Sequence, residues 1–82
     1  MNINDLGKEL RRMYDDGKVR KEQVAMIHLF AIKYADEIIM QDEKQNRVFE
    51  QILRYAELNN SYKTELSKGL KLASYVEIKK DI

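Results

Sequence analysis

The chain has 82 residues, with 15 basic and 14 acidic side chains, one histidine and no cysteine. This length predicts one domain over residues 1–82, and the lack of cysteine excludes disulfides and thiolate zinc sites. No run of about 18 apolar residues and no apolar N-terminal signal segment is present, so we expect a cytoplasmic protein without membrane contact. A net charge of +1 does not indicate a globally basic nucleic-acid binder.

Charge is nevertheless unevenly distributed along the chain. Residues 8–21 carry six basic and three acidic side chains, whereas residues 36–50 carry two basic and five acidic ones. A bipolar surface of this kind suits a polyanion bound on one side, head-to-tail protein contacts, or only a mixed solvated surface.

The first predicted helix spans residues 4–15. Apolar side chains recur there at three- and four-residue steps, namely Ile3, Leu6, Leu10, Met13 and Tyr14. Asn2 or Asn4 can cap its start, and we expect Gly17 to end it by taking the left-handed conformation.

Residues 20–41 form the second helical segment, whose middle is apolar nearly all round. It is one helix or two; no Gly, Pro, Asn or Ser marks a break near residues 30–32, so local chemistry favours one. A helix of this kind must be covered on several sides, either by the other helices or by a second subunit. The side chains predicted to lie at a partner interface are Met26, Phe30 and Ile39.

Two further helices are predicted, over residues 44–58 and 61–74, separated by Asn59 and Asn60. Residues 75–79 then alternate in polarity, which is typical of a short β-strand, although a frayed tail is the alternative. The sequence therefore predicts an all-α domain of four or five short helices, with an optional C-terminal strand.

No catalytic constellation is found in the sequence. The three glycines are scattered, and His28 lies in the most apolar segment, where we expect a packed histidine with locally bonded ring nitrogens. Adjacent carboxylates such as Asp15 and Asp16 point about 100° apart on a helix and do not converge. We predict a protein that is not an enzyme, with no catalytic site, metal site or cofactor and no small-molecule substrate.

The most specific pattern is a pair of helices joined by a tight turn at Asn59 and Asn60. Ala56 suits the small contact position, and Leu66 and Leu70 suit the apolar anchor of the second helix. The outer face then carries side chains that suit phosphates and base edges: Lys63, Thr64, Ser67, Lys68 and Lys71. Arg11 and Arg12 of the first helix would be supplementary phosphate contacts if they share that face. The alternative is an ordinary amphipathic helix with a solvated charged face.

A second candidate turn covers residues 30–33. It would place Lys33, Tyr34 and Asp36 at the start of the following helix. Ala31 occupies the place that a turn glycine would take, so no local signal supports this break.

The order of these segments resembles a known class of domain. A short first helix, the sequence KVR, the stretch QVAMIHLFAIKYADEI and the C-terminal NNSYKTELSKGLKLASYVEIKK together resemble small helix-turn-helix or winged-helix-like domains of bacteria and their phages. The resemblance implies DNA binding, or the same fold reused for protein contacts. The chain departs from the pattern in having Ala31 at the turn and no basic wing after Ile78.

Two functional hypotheses follow. In the first, the chain is a DNA-binding or DNA-associated module that docks on double-stranded DNA and forms a homodimer. In the second, it is a protein–protein interaction or assembly module that binds no nucleic acid.

Overall fold

The computed structural model describes residues 1–79 and residue 82. Within them the chain forms α1 (Ile3–Lys18), α2 (Gln23–Lys33), α3 (Ala35–Ile39), α4 (Gln45–Ala56) and α5 (Lys63–Leu72), with a 3₁₀ turn at Asn60–Tyr62. The predicted all-α class with four or five helices is confirmed. None of the described helices is long and apolar enough to cross a membrane.

The helices surround one hydrophobic core. α1 packs against both α4 and α2, and α5 packs mainly against α2. The largest fully buried side chains come from all five helices: Leu6, Leu10, Met13, Ile27, Phe30, Ile38, Val48, Ile52, Leu53 and Leu66. Each Å² of apolar surface that these faces remove from water stabilises the fold by about 25 cal/mol.

The first helix has the predicted N-cap but a different end. The Asn2 side chain accepts a hydrogen bond from the Asp5 N–H at 2.8 Å. The helix continues through Gly17 to Lys18, and the left-handed residue of the following turn is Lys21, with φ of 56°. Gly17 is instead a point of close approach, because a Cβ there would lie 2.4 Å from the Cγ of Met26.

Residues 20–41 contain two helices, broken at Tyr34. That residue leaves the helical conformation (φ −109°, ψ 24°), and its hydroxyl donates to the Glu9 Oε1 of α1 at 2.8 Å. The break at Tyr34 thus coincides with a contact to α1, and no glycine, proline, asparagine or serine beside it predicts it from the sequence. The second candidate turn was placed wrongly, since residues 30–33 lie inside α2.

The side chains predicted for a partner interface do not form one exposed patch. Met26 and Phe30 are 4% and 0% exposed because the chain's own helices cover them, so no second subunit is needed there. Ile39, at the end of α3, is 64% exposed.

The predicted C-terminal strand is absent from the described residues, and residues 76–79 have no regular secondary structure. Val76 and Ile78 lie beside Ile32 of α2, and Ile82 packs against the core. No described strand offers this segment a ladder of hydrogen bonds.

Candidate nucleic-acid interface

The connection between α4 and α5 is longer than the two-residue turn predicted. Glu57 takes the left-handed conformation (φ 57°), and the Leu58 N–H donates to the Leu53 carbonyl at 3.0 Å. This is the Schellman arrangement that closes a helix, although it lies two residues before Asn59. Asn59 instead caps the 3₁₀ turn, where its side chain accepts from the Ser61 N–H at 2.8 Å.

Two residues fix α5 on α2. Leu66 is fully buried in the core. Gly69 brings the two backbones together, because a Cβ at that position would lie 2.7 Å from the carbonyl oxygen of His28. With this face of α5 held against α2, the polar side chains on its other side point away from the core.

An open groove of about 480 Å³ runs between this polar side of α5 and the first turn of α4. Its lining combines residues of both helices: Gln45, Asn46, Phe49, Lys63, Thr64, Ser67, Lys68 and Lys71. The five α5 side chains selected from the sequence are therefore brought together in one groove. Sequence reasoning missed the three α4 residues, since only the tertiary fold places the start of α4 beside α5.

The groove is positively charged, with partial compensation from carboxylates outside its lining. Lys63 Nζ lies 3.2 Å from Glu50 Oε1, and Lys68 Nζ lies 3.3 Å from Glu65 Oε2. Lys71 makes no ion pair with any described residue. Lys44 provides no side-chain cap at the start of α4, where its carbonyl accepts a hydrogen bond from the Arg47 N–H at 2.9 Å.

His28 lies at the contact between α2 and α5. Its Nε2 is 2.7 Å from Glu65 Oε1, and its side chain is 28% exposed. This nitrogen is therefore bonded, but its partner belongs to another helix, so the bond is tertiary and not the local one expected. Hydrogen bonds to His28 first, and also to Lys68, lower the pKa of Glu65. No group of three or more metal-binding side chains occurs in the described parts of the chain.

Arg11 and Arg12 do not line the groove. Arg11 pairs with Asp15 at 3.1 Å and donates to the carbonyl of Ala56, at the C-terminal end of α4, at 3.2 Å. Arg12 contacts both carboxylate oxygens of Glu9, at 2.9 and 3.2 Å. Both guanidinium groups are thus engaged in contacts of α1.

The groove offers three kinds of donor to an anionic ligand. Ammonium groups act as point charges for phosphates, and the hydroxyls of Thr64 and Ser67 can donate to phosphate oxygens. The amides of Gln45 and Asn46 are of the type that pairs with adenine edges in the major groove. This combination suits a nucleic-acid backbone with base edges near it.

Comparison with known proteins places the chain in a family. The model of a family described as an HTH-like domain matches residues 2–79. The chain therefore belongs to this family of helix-turn-helix-like domains, which confirms the resemblance stated from the sequence.

One curated relative adds a second comparison. A protein named DNA ligase, from Methanocaldococcus jannaschii, is 35% identical over an alignment of 82 positions. The alignment covers 93% of this chain but 14% of the ligase, so the chain spans about one-seventh of that relative's length. No solved structure matches the chain.

Proposed function

We propose that this chain is a DNA-associated module whose groove between α4 and α5 binds the phosphate backbone of a DNA duplex. The observation that carries the proposal is the convergence of three lysines, two hydroxyls and two amides in one groove, with no carboxylate among the described residues that line it. Membership of the HTH-like family supports it, as does the similarity to a protein named DNA ligase.

The proposed binding is electrostatic in origin. Ammonium groups that neutralise phosphates release condensed counterions from the duplex, which supplies affinity that falls as salt rises. Lys71 has no ion-pair partner to give up among the described residues, whereas Lys63 and Lys68 must exchange a carboxylate for a phosphate. Such exposed ion pairs contribute about 0–1 kcal/mol, so the exchange costs little.

The proposal concerns binding and assigns no catalytic step to this chain. Its groove provides donors and positive charge, which hold an anion in place but do not form an acid–base pair. It also leaves out Arg11 and Arg12 as direct phosphate contacts, because they lie on α1 and do not line the groove.

Single lysine substitutions test the proposal. We expect Lys71→Ala and Lys68→Ala each to weaken binding of a mixed-sequence duplex several-fold at about 50 mM salt, because each removes a phosphate contact. Fluorescence anisotropy with a labelled duplex measures the affinity.

The matched control is Lys8→Ala. Lys8 is an exposed lysine of α1 outside the groove, and its substitution changes the net charge by the same amount. Unchanged affinity in both groove variants, or an equal loss in the control, would contradict docking at this groove.

A protein-interaction module remains the second candidate. The observation that favours it is the exposure of Ile39 and Met40, 64% and 78%, side by side at the end of α3. Apolar side chains exposed together are typical of interfaces. One chain has a mass of 9.8 kDa. If this surface binds a second copy, light scattering without DNA should give a mass above that of one chain. The Met40→Ser variant should then return to the mass of one chain.

A further inference from the structure

One carboxylate joins α2, α5 and the groove. Glu65 contacts His28 Nε2 through Oε1 at 2.7 Å and Lys68 Nζ through Oε2 at 3.3 Å. Its side chain is 22% exposed and that of Lys68 is 59% exposed. Glu65 itself does not line the groove, but it holds the ammonium group of a residue that does.

We propose that Glu65 is a positioning residue that limits the affinity of the groove for DNA phosphates, and that protonation of His28 relieves this limit. The inference rests on the proposed function. It adds a regulation of the same site that depends on one carboxylate and one imidazole.

The physical basis is competition for Lys68. A phosphate that enters the groove must take Lys68 away from Glu65, and it also meets the repulsion of that nearby negative charge. Removal of the carboxylate charge therefore strengthens binding, although the same removal deprives α5 of an ion pair. A residue with a purely structural role would show the opposite sign, since its loss would loosen α5 and weaken binding.

His28 controls how much of the negative charge remains. Histidine is the side chain whose charge ordinarily changes between pH 5 and 8. When its ring is neutral, Glu65 faces Lys68 with its full charge. When the ring is protonated, a positive charge 2.7 Å away compensates the carboxylate from the α2 side, and Lys68 is freer to bind phosphate.

Few charged groups surround the His28 imidazole. On α5 its partner is Glu65, and Glu65 in turn pairs with Lys68. Glu9 of α1 contacts Tyr34, and Arg20 of the turn between α1 and α2 contacts Met26. Glu77 and Lys79 of the C-terminal segment lie beside Leu29. No hydrogen bond or ion pair joins these four groups to the imidazole in the described part of the chain. Since the sequence contains one histidine, a pH effect has few other sources.

The test is Glu65→Gln, which keeps the side-chain shape and its capacity to bond His28 but removes the charge. We expect this variant to bind a mixed-sequence duplex about twofold to fivefold more tightly at pH 8, the range that a partly exposed ion pair supports. The matched control is Glu22→Gln, which removes one negative charge in the α1–α2 turn, where Glu22 pairs with Arg20. The control should leave affinity unchanged within error.

The pH profile gives a second readout that a structural role would not produce. The wild-type protein should bind the duplex more tightly at pH 6 than at pH 8, and His28→Gln should show no such gain. Urea unfolding of each variant at both pH values verifies that the compared proteins are folded.

The outcomes distinguish DNA binding at the groove from its control by Glu65 and His28. If Lys71→Ala weakens binding but Glu65→Gln does not strengthen it, or if His28→Gln keeps the full pH dependence, the inference is wrong and the proposed function survives. If the wild-type protein does not bind DNA at either pH, both are overturned.

Discussion

Glu9 connects three parts of the molecule through a single carboxylate. It accepts hydrogen bonds from Arg12 on its own helix and from the hydroxyl of Tyr34, where α2 gives way to α3. The bond from Arg12, followed by that from Tyr34, lowers the pKa of Glu9 to about 2. Burial and the bond to Glu9 raise the pKa of Tyr34. One acidic residue thus ties α1 to the break in residues 20–41.

This arrangement predicts acid sensitivity with a defined sign. A carboxylate whose pKa is lower in the folded state contributes stability above its unfolded pKa, about 4.3 for Glu, and the contribution disappears as pH falls toward 2. We expect Glu9→Gln to lower the free energy of unfolding at pH 7 and to reduce its fall between pH 5 and 2. Urea titrations across this range measure it.

The control for that experiment is Asp42→Asn. Asp42 is an exposed carboxylate between α3 and α4 that makes no hydrogen bond or ion pair with any described residue. Its substitution should leave the acid-induced loss of stability as it is in the wild-type protein. Equal behaviour of Glu9→Gln and Asp42→Asn would contradict the role given to Glu9.

At the scale of the helices, the contact between α2 and α5 determines where the groove lies. Gly69 allows it, because a Cβ there would meet the His28 carbonyl oxygen at 2.7 Å and the Ala31 Cβ at 2.8 Å. Both are atoms that cannot swing aside. The helices can therefore approach this closely only with hydrogen at that position.

Gly69→Ala should destabilise the protein by about 1–3 kcal/mol, the cost of overpacking, even though alanine favours a helix by up to about 1 kcal/mol over glycine. Lys71→Ala, at an exposed position of the same helix, is the control and should not destabilise it. Thermal unfolding measures both changes. A Gly69→Ala variant as stable as the wild-type protein would show that the two helices can move apart at no cost.

Sequence periodicity predicts the amphipathic helices well but not the contacts between them. α1, α4 and α5 each keep a stripe of apolar residues on one side, so their existence and inward faces follow from local spacing. The break at Tyr34 and the role of Gly17 do not, since both depend on partners distant in sequence: Glu9 for the first, Met26 for the second. From the sequence alone, a glycine near a helix end is equally consistent with the end of the helix and with close packing against another helix.

The same division applies to the candidate site. Lys63, Lys68 and Lys71 could be selected because they share the outer face of one helix. Gln45 and Asn46 could not, because the start of α4 is adjacent to α5 only in the folded chain. Arg11 and Arg12 were selected for charge alone, and their carboxylate and carbonyl partners became visible only in the structure.

For the whole molecule, charge distribution matters more than net charge. The chain carries a net charge of +1, yet the described lining of one groove contains three lysines and no carboxylate. Most acidic partners of the basic residues are found on α1 and in the turn after it, where they offset Arg11, Arg12 and Arg20. A balanced sequence can therefore present a locally positive surface to a polyanion.

The salt dependence of DNA binding tests this account most directly. If the three groove lysines contact phosphates, the logarithm of the affinity should fall with the logarithm of the salt concentration with a slope of about −3, near −0.9 for each contact. The double variant Lys68→Ala/Lys71→Ala should show a slope near −1 with the same duplex. A wild-type slope near zero, or equal slopes for the two proteins, would contradict the claim that this groove binds the DNA backbone.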